Sequence, residues 1–227
     1  KEFIVSLAKI FGKPVLVEMW KEPFFYFRLK WDFNFVDNQD KAAALSTDQI
    51  DVENAKRYDI TYVDEKGERH YPLILHCSPS GAVERCIYAL LEKAYKQQQK
   101  GEPPMLPVWL SPTQVRIIPM SEKFLAHCEK IAEKLEANQI RVDIDDRPLT
   151  LQKRIREAEM EWIPYIIVAG QKEIDSEILP VRDRKAKQIR KMKIEELIRE
   201  IKSHTQDKPF KPLPLPKHVS KRPQFYG

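Results

Sequence analysis

The sequence predicts an α/β chain, α+β overall, built in two parts. Three observations carry that prediction. Strand-like runs and a hairpin signal crowd the first 80 residues. Strand and helix signals alternate from residue 115 to residue 201. Between them, residues 97–104 (QQQKGEPP) are polar and rich in turn formers, which marks a linker.

The first part opens on a helical stripe of Phe3, Ile4, Leu7 and Ile10. Gly12-Lys13-Pro14 ends it. Strand-like segments follow at 15–20, 24–30, 32–36 and 42–50. Asp64-Glu65-Lys66-Gly67 is a turn between 60–63 and 70–76, so these runs read as an antiparallel hairpin. A helix from Gly81 to about Gln99 closes the part, with an apolar pattern that reads as buried.

In the second part residues 115–120 are strand-like. Ser121 is a candidate N-cap for a helix facing inward through Leu125, Cys128, Ala132 and Leu135. A strand at 140–144 follows, then a helix opened by Thr150 with Leu151, Ile155 and Ala158 inward. Residues 165–169 form a strand bounded by Pro164 and Gly170, and 177–182 a shorter one. Ile194, Leu197, Ile198 and Ile201 mark the last helix. Strands joined through helices pair in parallel, which implies a small α/β sandwich. From Gln206 the chain is proline-rich and aperiodic, an extended tail.

Composition bounds the function. With 32% charged and 10% aromatic residues the chain is globular rather than disordered. No apolar run is long enough to span a bilayer, and no signal-peptide pattern opens it. Three unclustered cysteines argue against a disulfide framework and for a reducing compartment. A net charge of +5 is compatible with nucleic-acid binding without establishing it. The first residue is Lys1, inside a helical pattern, as expected of a piece of a longer chain.

Four places carry chemistry. Glu84 and Arg85 stand side by side on the first turn of a helix. Glu84 suits that electropositive end; Arg85 needs something negative, either in an ion pair or in an anionic ligand approaching the small residues Ser78, Ser80, Gly81 and Ala82. His76 ends an apolar strand, where a satisfied buried histidine is the ordinary reading and a metal ligand the other. Its neighbour Cys77 must face the opposite way. Thr47, Gln49 and Asp51 share one strand face, either solvated or lining a polar pocket. Arg182, Arg184, Lys185, Lys187, Arg190, Lys191 and Lys193 form a basic run, a solvated face or a contact for an RNA backbone.

These residues also carry a family resemblance. Ser80-Gly81-Ala82-Val83-Glu84-Arg85, followed by an apolar helix, resembles the third signature motif of class II aminoacyl-tRNA synthetases. Residues 42–51 (AAALSTDQID), 73–85 (LILHCSPSGAVER), 109–115 (WLSPTQV) and 140–147 (IRVDIDDR) follow in the order seen in the C-terminal half of threonyl-tRNA synthetases of the archaeal branch. Residues 211–224 (KPLPLPKHVSKRPQ) resemble that branch too.

The resemblance implies a division into 1–105, the end of the class II antiparallel catalytic domain; 106–205, a three-layer α/β anticodon-binding domain with a mixed sheet; and a basic tail, 206–227. It implies a cytoplasmic ligase that activates threonine with ATP and Mg²⁺ and transfers it to its tRNA, as a homodimer when intact. Arg85 then contacts ATP and acts in catalysis, Thr47 lies near the adenylate, Gln49 contacts threonine and His76 binds zinc. Arg156, Glu173 and Arg182 fall at positions that read the anticodon. The family's other two zinc ligands, and motifs one and two, have no counterpart in this chain, so the chain alone is expected to be inactive. The family aromatic that closes over threonine falls near Phe27, which has no hydroxyl, and a family asparagine at the anticodon falls at Pro148. Two alternatives stand beside this reading: a tRNA-binding module without catalysis, and another class II synthetase such as the prolyl enzyme.

Overall fold

The computed structural model describes residues 2–23, 25–176 and 178–223. Phe24 and Glu177, which open two expected strands, and Gln224, which ends the tail motif, lie outside the described residues, as do Lys1 and 225–227. Contacts divide the chain into two units, Lys1–Ala89 and Leu90–Gly227.

In the first unit the expected opening helix is α1, Glu2–Phe11. None of its residues is buried; the Phe11 ring lies 4.6 Å from that of Phe33, tilted against it. Residues 15–20, expected as a strand, form no regular element, and Leu16 and Met19 there are almost wholly exposed. An apolar run becomes a strand only when a neighbour takes up its backbone hydrogen bonds. The two segments expected at 24–30 and 32–36 are one strand, β1, Phe27–Val36, bulged between Phe27 and Leu29 and between Phe33 and Asn34.

The strand β2, Ala42–Asp51, pairs antiparallel with β1. The turn joining them is held by Asp37, whose Oδ1 accepts from the Gln39 and Lys41 amides. A short helix α2, Asn54–Arg57, follows. The expected hairpin is present as β3, Tyr62–Val63, against β4, Arg69–His70, and Asp64 Oδ1 accepts from the Lys66 and Glu68 amides in its turn. The strand β5, Ile74–Ser78, joins the other edge of β2, giving the antiparallel order β1-β2-β5. The helix α3, Val83–Gln99, divides between the two units. Most of its large apolar residues are not buried as expected: Val83, Ile87, Tyr88, Leu91 and Tyr95 are exposed, while Ala94 is buried.

In the second unit β6, Val115–Pro119, lies between β7, Val142–Ile144, and β8, Tyr165–Ala169, parallel to both. The helices α4, Leu125–Glu136, and α5, Leu151–Met160, make the crossovers. After a short α6, Gln171–Ser176, β9, Leu179–Asp183, turns back antiparallel to β8. The basic run expected to lead straight into a helix instead folds back as a further strand, β10, Gln188–Met192, before α7, Ile194–Thr205. The sheet is therefore mixed, in the order β10-β9-β8-β6-β7.

Alternation of side chains splits the core into two faces. Val115, Ile117, Val142, Ile144 and Ile167 pack with Cys128, Leu135, Leu197 and Ile201, so α4 and α7 cover one face. Ile118 and Ile166 pack with Ala158 and Ile163 on the other, under α5. Thr150 caps α5 as expected, its Oγ1 accepting from the Lys153 amide. Ser121 does not cap α4 through its side chain; a 3₁₀ turn at Glu122–Phe124 intervenes. The charged pair Arg116 and Asp143 is buried between strands, with two hydrogen bonds of 2.8 and 2.9 Å. The tail is a strap along β7: the Ile144 amide donates to Lys217 O, and Asp146 accepts from the Ser220 amide and hydroxyl.

Candidate functional site

The β2–β5 register builds the polar face of the first unit. Gln49 stands opposite His76, and Thr47 opposite Ser78. Asp51, two residues past Gln49 on the same face, is fully buried, and its Oδ2 lies 2.8 Å from His76 Nε2. Burial works to raise the Asp51 pKa, but the Asn54 amide, His76, the Glu53 amide and the Asn54 side chain together hold it well below the usual carboxylate range. Tyr26 completes the group. Its hydroxyl donates to Gln49 Oε1 at 2.7 Å, and its ring lies 5.6 Å from the His76 ring. Thr47 Oγ1 is buried with no hydrogen-bond partner among the described residues. A buried hydroxyl without a partner is costly, and a bound polar group would satisfy it.

The fit to a metal follows from the same contacts. A histidine that binds zinc through one nitrogen ordinarily donates from the other to a carboxylate. Asp51 on Nε2 orients His76 in that way and leaves Nδ1 for the metal. Cys77, opposite Asp48, faces away, and its hydrogen bond with Asp48 followed by burial pushes its thiol up, against a thiolate ligand. His76 thus fits as one ligand. Among the described residues the group of three metal-capable side chains that converges is Asp64, Glu68 and His70 on the β3–β4 hairpin, which does not include His76.

Arg85 makes no ion pair with Glu84 among the described residues; its Nη1 donates to Ala44 O of β2 at 2.9 Å. The loop before α3 comes so close to β2 that only glycine fits at Gly81. Its φ is +68°, and an added Cβ would lie 1.7 Å from Leu45 O. Gly81 thereby sets Arg85 beside the Thr47–Gln49 strand.

In the second unit a cleft of about 820 Å³ brings Arg156 of α5 together with Arg182 of β9. Met160, Trp162, Ile163 and Ile166 give it apolar lining, and Arg184 and Lys187 add cationic groups. Arg182 Nη1 is 3.5 Å from Glu159, a loose pair on a half-open surface. Arg184 donates to Pro104 O and Glu159 O, and Arg190 is held by Asp183 and Glu200. Much of the basic run is therefore structural. Glu173 is not among the cleft residues; its Oε2 accepts from the Gly170 amide at 2.8 Å.

Residues 114–204 match the family model described as "Anticodon binding domain". Over its full 227 residues the chain is 60% identical to the threonine–tRNA ligase of Thermococcus onnurineus, of which it covers 36%. It is 56% identical over 225 residues to that of Nitrosopumilus maritimus, again 36% of the relative. Along its whole length the chain is similar to one part of these threonine–tRNA ligases. It spans about a third of the length of the curated relatives it matches. A crystal structure of the RNA-binding domain of threonyl-tRNA synthetase from Cryptosporidium parvum superposes with a TM-score of 0.65 over 89% of this chain and 49% of that one, at 24% identity, a likeness of fold.

The relatives carry the threonine–tRNA ligase name and not that of the prolyl enzyme. Of the expected residues, Thr47, Gln49 and His76 share one sheet face with Asp51, and Arg85 reaches the same strand through Ala44. Arg156 and Arg182 share a cleft, and Glu173 stands apart from it. Sequence reasoning missed Tyr26 and Trp162. Tyr26 stands one residue before β1 and joins the polar face through its bond to Gln49, a contact that no spacing in the sequence signals. Nothing in the sequence placed Trp162 in a cleft.

Proposed function

We propose that the chain is part of a threonine–tRNA ligase, contributing one wall of the threonine and ATP site and the module that reads the anticodon. The observation that carries the first half is the convergence of Thr47, Gln49, His76 and Tyr26 on one face, with Asp51 buried behind them. His76 would hold zinc together with ligands from outside this chain, and bound zinc would select threonine through its amino and hydroxyl groups. Asp51 fixes the imidazole, Gln49 offers its amide to threonine, and Tyr26 fixes Gln49. Thr47, on the same strand face, would lie close to the adenylate. Arg85 would exchange its bond to Ala44 O for the phosphates and adenine of ATP, a contact that suits a planar cation. Mg²⁺ would accompany the nucleotide.

For the second half, Arg156 and Arg182 are the base-reading pair, since a guanidinium can bond two acceptors of guanine at once. Glu173 is an acceptor for an exocyclic amine at a neighbouring base, reached when its carboxylate leaves the Gly170 amide. Within this reading the functional division is 1–105, 106–205 and the tail, the intact enzyme is a homodimer, and it works in the cytoplasm. None of the described helices is long and apolar enough to cross a membrane.

The test is threonine-dependent pyrophosphate exchange by the full-length protein. Gln49→Ala and His76→Ala should each abolish it, and the 227-residue chain alone should give background. Turnover unchanged by both substitutions would overturn the assignment. The family match over 114–204, in a unit with its own core, favours as a second reading a chain that binds tRNA without catalysis. Exchange activity in the full-length protein decides between the two.

A further inference from the structure

Six described non-glycine residues have left-handed backbone, and Trp162 is the aromatic one, with φ +59°. It sits just past the end of α5 in a two-bond turn: its amide donates to Glu159 O and the Ile163 amide to Ala158 O, both at 3.2 Å. That turn is where glycine is ordinarily found, because a side chain there crowds the backbone. The same kind of turn closes α4 with the polar Gln139, φ +58°, so the turn itself does not call for an aromatic. Core packing does not explain it either. The apolar cluster beneath α5 comprises Ile118, Ala158, Ile163 and Ile166, and Trp162 is half-buried outside it.

The side chain lines the cleft that holds Arg156 and Arg182. Lys187, another left-handed residue, lines the same cleft from the β9–β10 turn. Strained backbone persists where surrounding structure enforces it, and it gathers at ligand sites. An indole beside guanidinium groups, with Met160 exposed next to it, is the chemistry that takes up an unpaired nucleobase: a flat apolar face for stacking, cations for the phosphates, and a floor that excludes water.

We propose that Trp162 is the stacking platform for an unpaired base of the tRNA anticodon loop. The proposal rests on the cleft being the anticodon site and adds the residue that holds the base in place while Arg182 reads its edge. The turn makes an unusual test possible, because removing the side chain should not harm the fold. Trp162→Gly should leave the thermal midpoint unchanged or raised, while affinity of the 227-residue chain for transcribed threonine tRNA falls about tenfold or more. Trp162→Asn, which tolerates the same backbone, should behave likewise, and Trp162→Phe should restore most of the binding. Arg182→Ala is measured alongside. If Arg182→Ala weakens binding and Trp162→Gly does not, the platform is wrong and the cleft stands. If neither does, the cleft itself is not the anticodon site. If glycine and asparagine both lower the midpoint by several degrees, Trp162 is a structural residue and the proposal fails.

Discussion

The two units are held together by different physics. Among the described residues of the first, three are fully buried: Asp37, Asp51 and Ala55. Two of the three are carboxylates, each ringed by backbone amides and side-chain donors. In the second unit an apolar core lies on both faces of a five-stranded sheet. Order in the first unit rests on polar contacts that also shape its candidate site, whereas in the second the core carries the fold and the cleft sits on its rim. Substitution at the first site should therefore disturb structure and binding together, and at the second cleft binding alone.

The largest test of that difference is inside the second unit. Arg116 is fully buried between Asp143 and Glu161, and truncating it leaves Asp143 with Arg222 and Thr113 as its remaining partners. Breaking a buried pair from one side costs about 3–5 kcal/mol. Arg116→Ala should lower the urea stability of the second unit by that order, while hydrogen exchange in β1 and β2 stays as in the wild type. A loss spread equally over both units would break the comparison.

Gly81→Ala should act on the first unit. A Cβ 1.7 Å from Leu45 O forces the loop off β2, and holding a left-handed residue there costs on the order of 1–3 kcal/mol. Faster hydrogen exchange in β2 and at the start of α3, with the second unit unmoved, is the expected outcome; unchanged exchange in β2 would show that α3 is placed by other contacts.

The smallest effect sharpens the account of the second unit. The Arg190 hydrogen bonds hold the Glu200 carboxyl below its ordinary 4.5 against the opposing effect of burial, with Tyr165 adding a donor. A depressed carboxylate stabilises the fold above its unfolded pKa and loses that contribution as pH falls through the folded value. Thermal midpoints of the wild type should thus drop more steeply below pH 4.5 than those of Glu200→Gln, the difference arising in the unfolding of the second unit. Parallel profiles would mean that Asp183 alone anchors Arg190.

The same contrast explains what the sequence disclosed. In the second unit, alternation of apolar residues reports directly on a two-faced sheet, so β6, α4, β7, α5, β8 and α7 were legible. The strand β10 was not. Gln188–Met192 reads as part of a charged run because the partners of Arg190, Asp183 and Glu200, lie seven and ten residues away. In the first unit residues 15–20 had strand composition but form no strand among the described residues, a matter of tertiary context. The face of Thr47, Gln49 and Asp51 followed from the period of two, but its pairing with His76 needed the register. Tyr26 depended on a long-range bond to Gln49 and Trp162 on a left-handed turn, neither of which leaves a pattern in composition.

The central claim is that the cleft between α5 and β9 reads anticodon bases, and Arg182 tests it most directly. Arg182 lines the cleft, while Lys191 lies exposed on β10 outside it. Binding isotherms at two salt concentrations, with threonine tRNA and an anticodon-swapped tRNA, separate the two roles. Arg182→Ala should cut the preference between the tRNAs by about 1–3 kcal/mol. Lys191→Ala should weaken both alike and flatten the salt dependence. If Arg182→Ala weakened both tRNAs equally, Arg182 would be a phosphate contact and the claim would be contradicted.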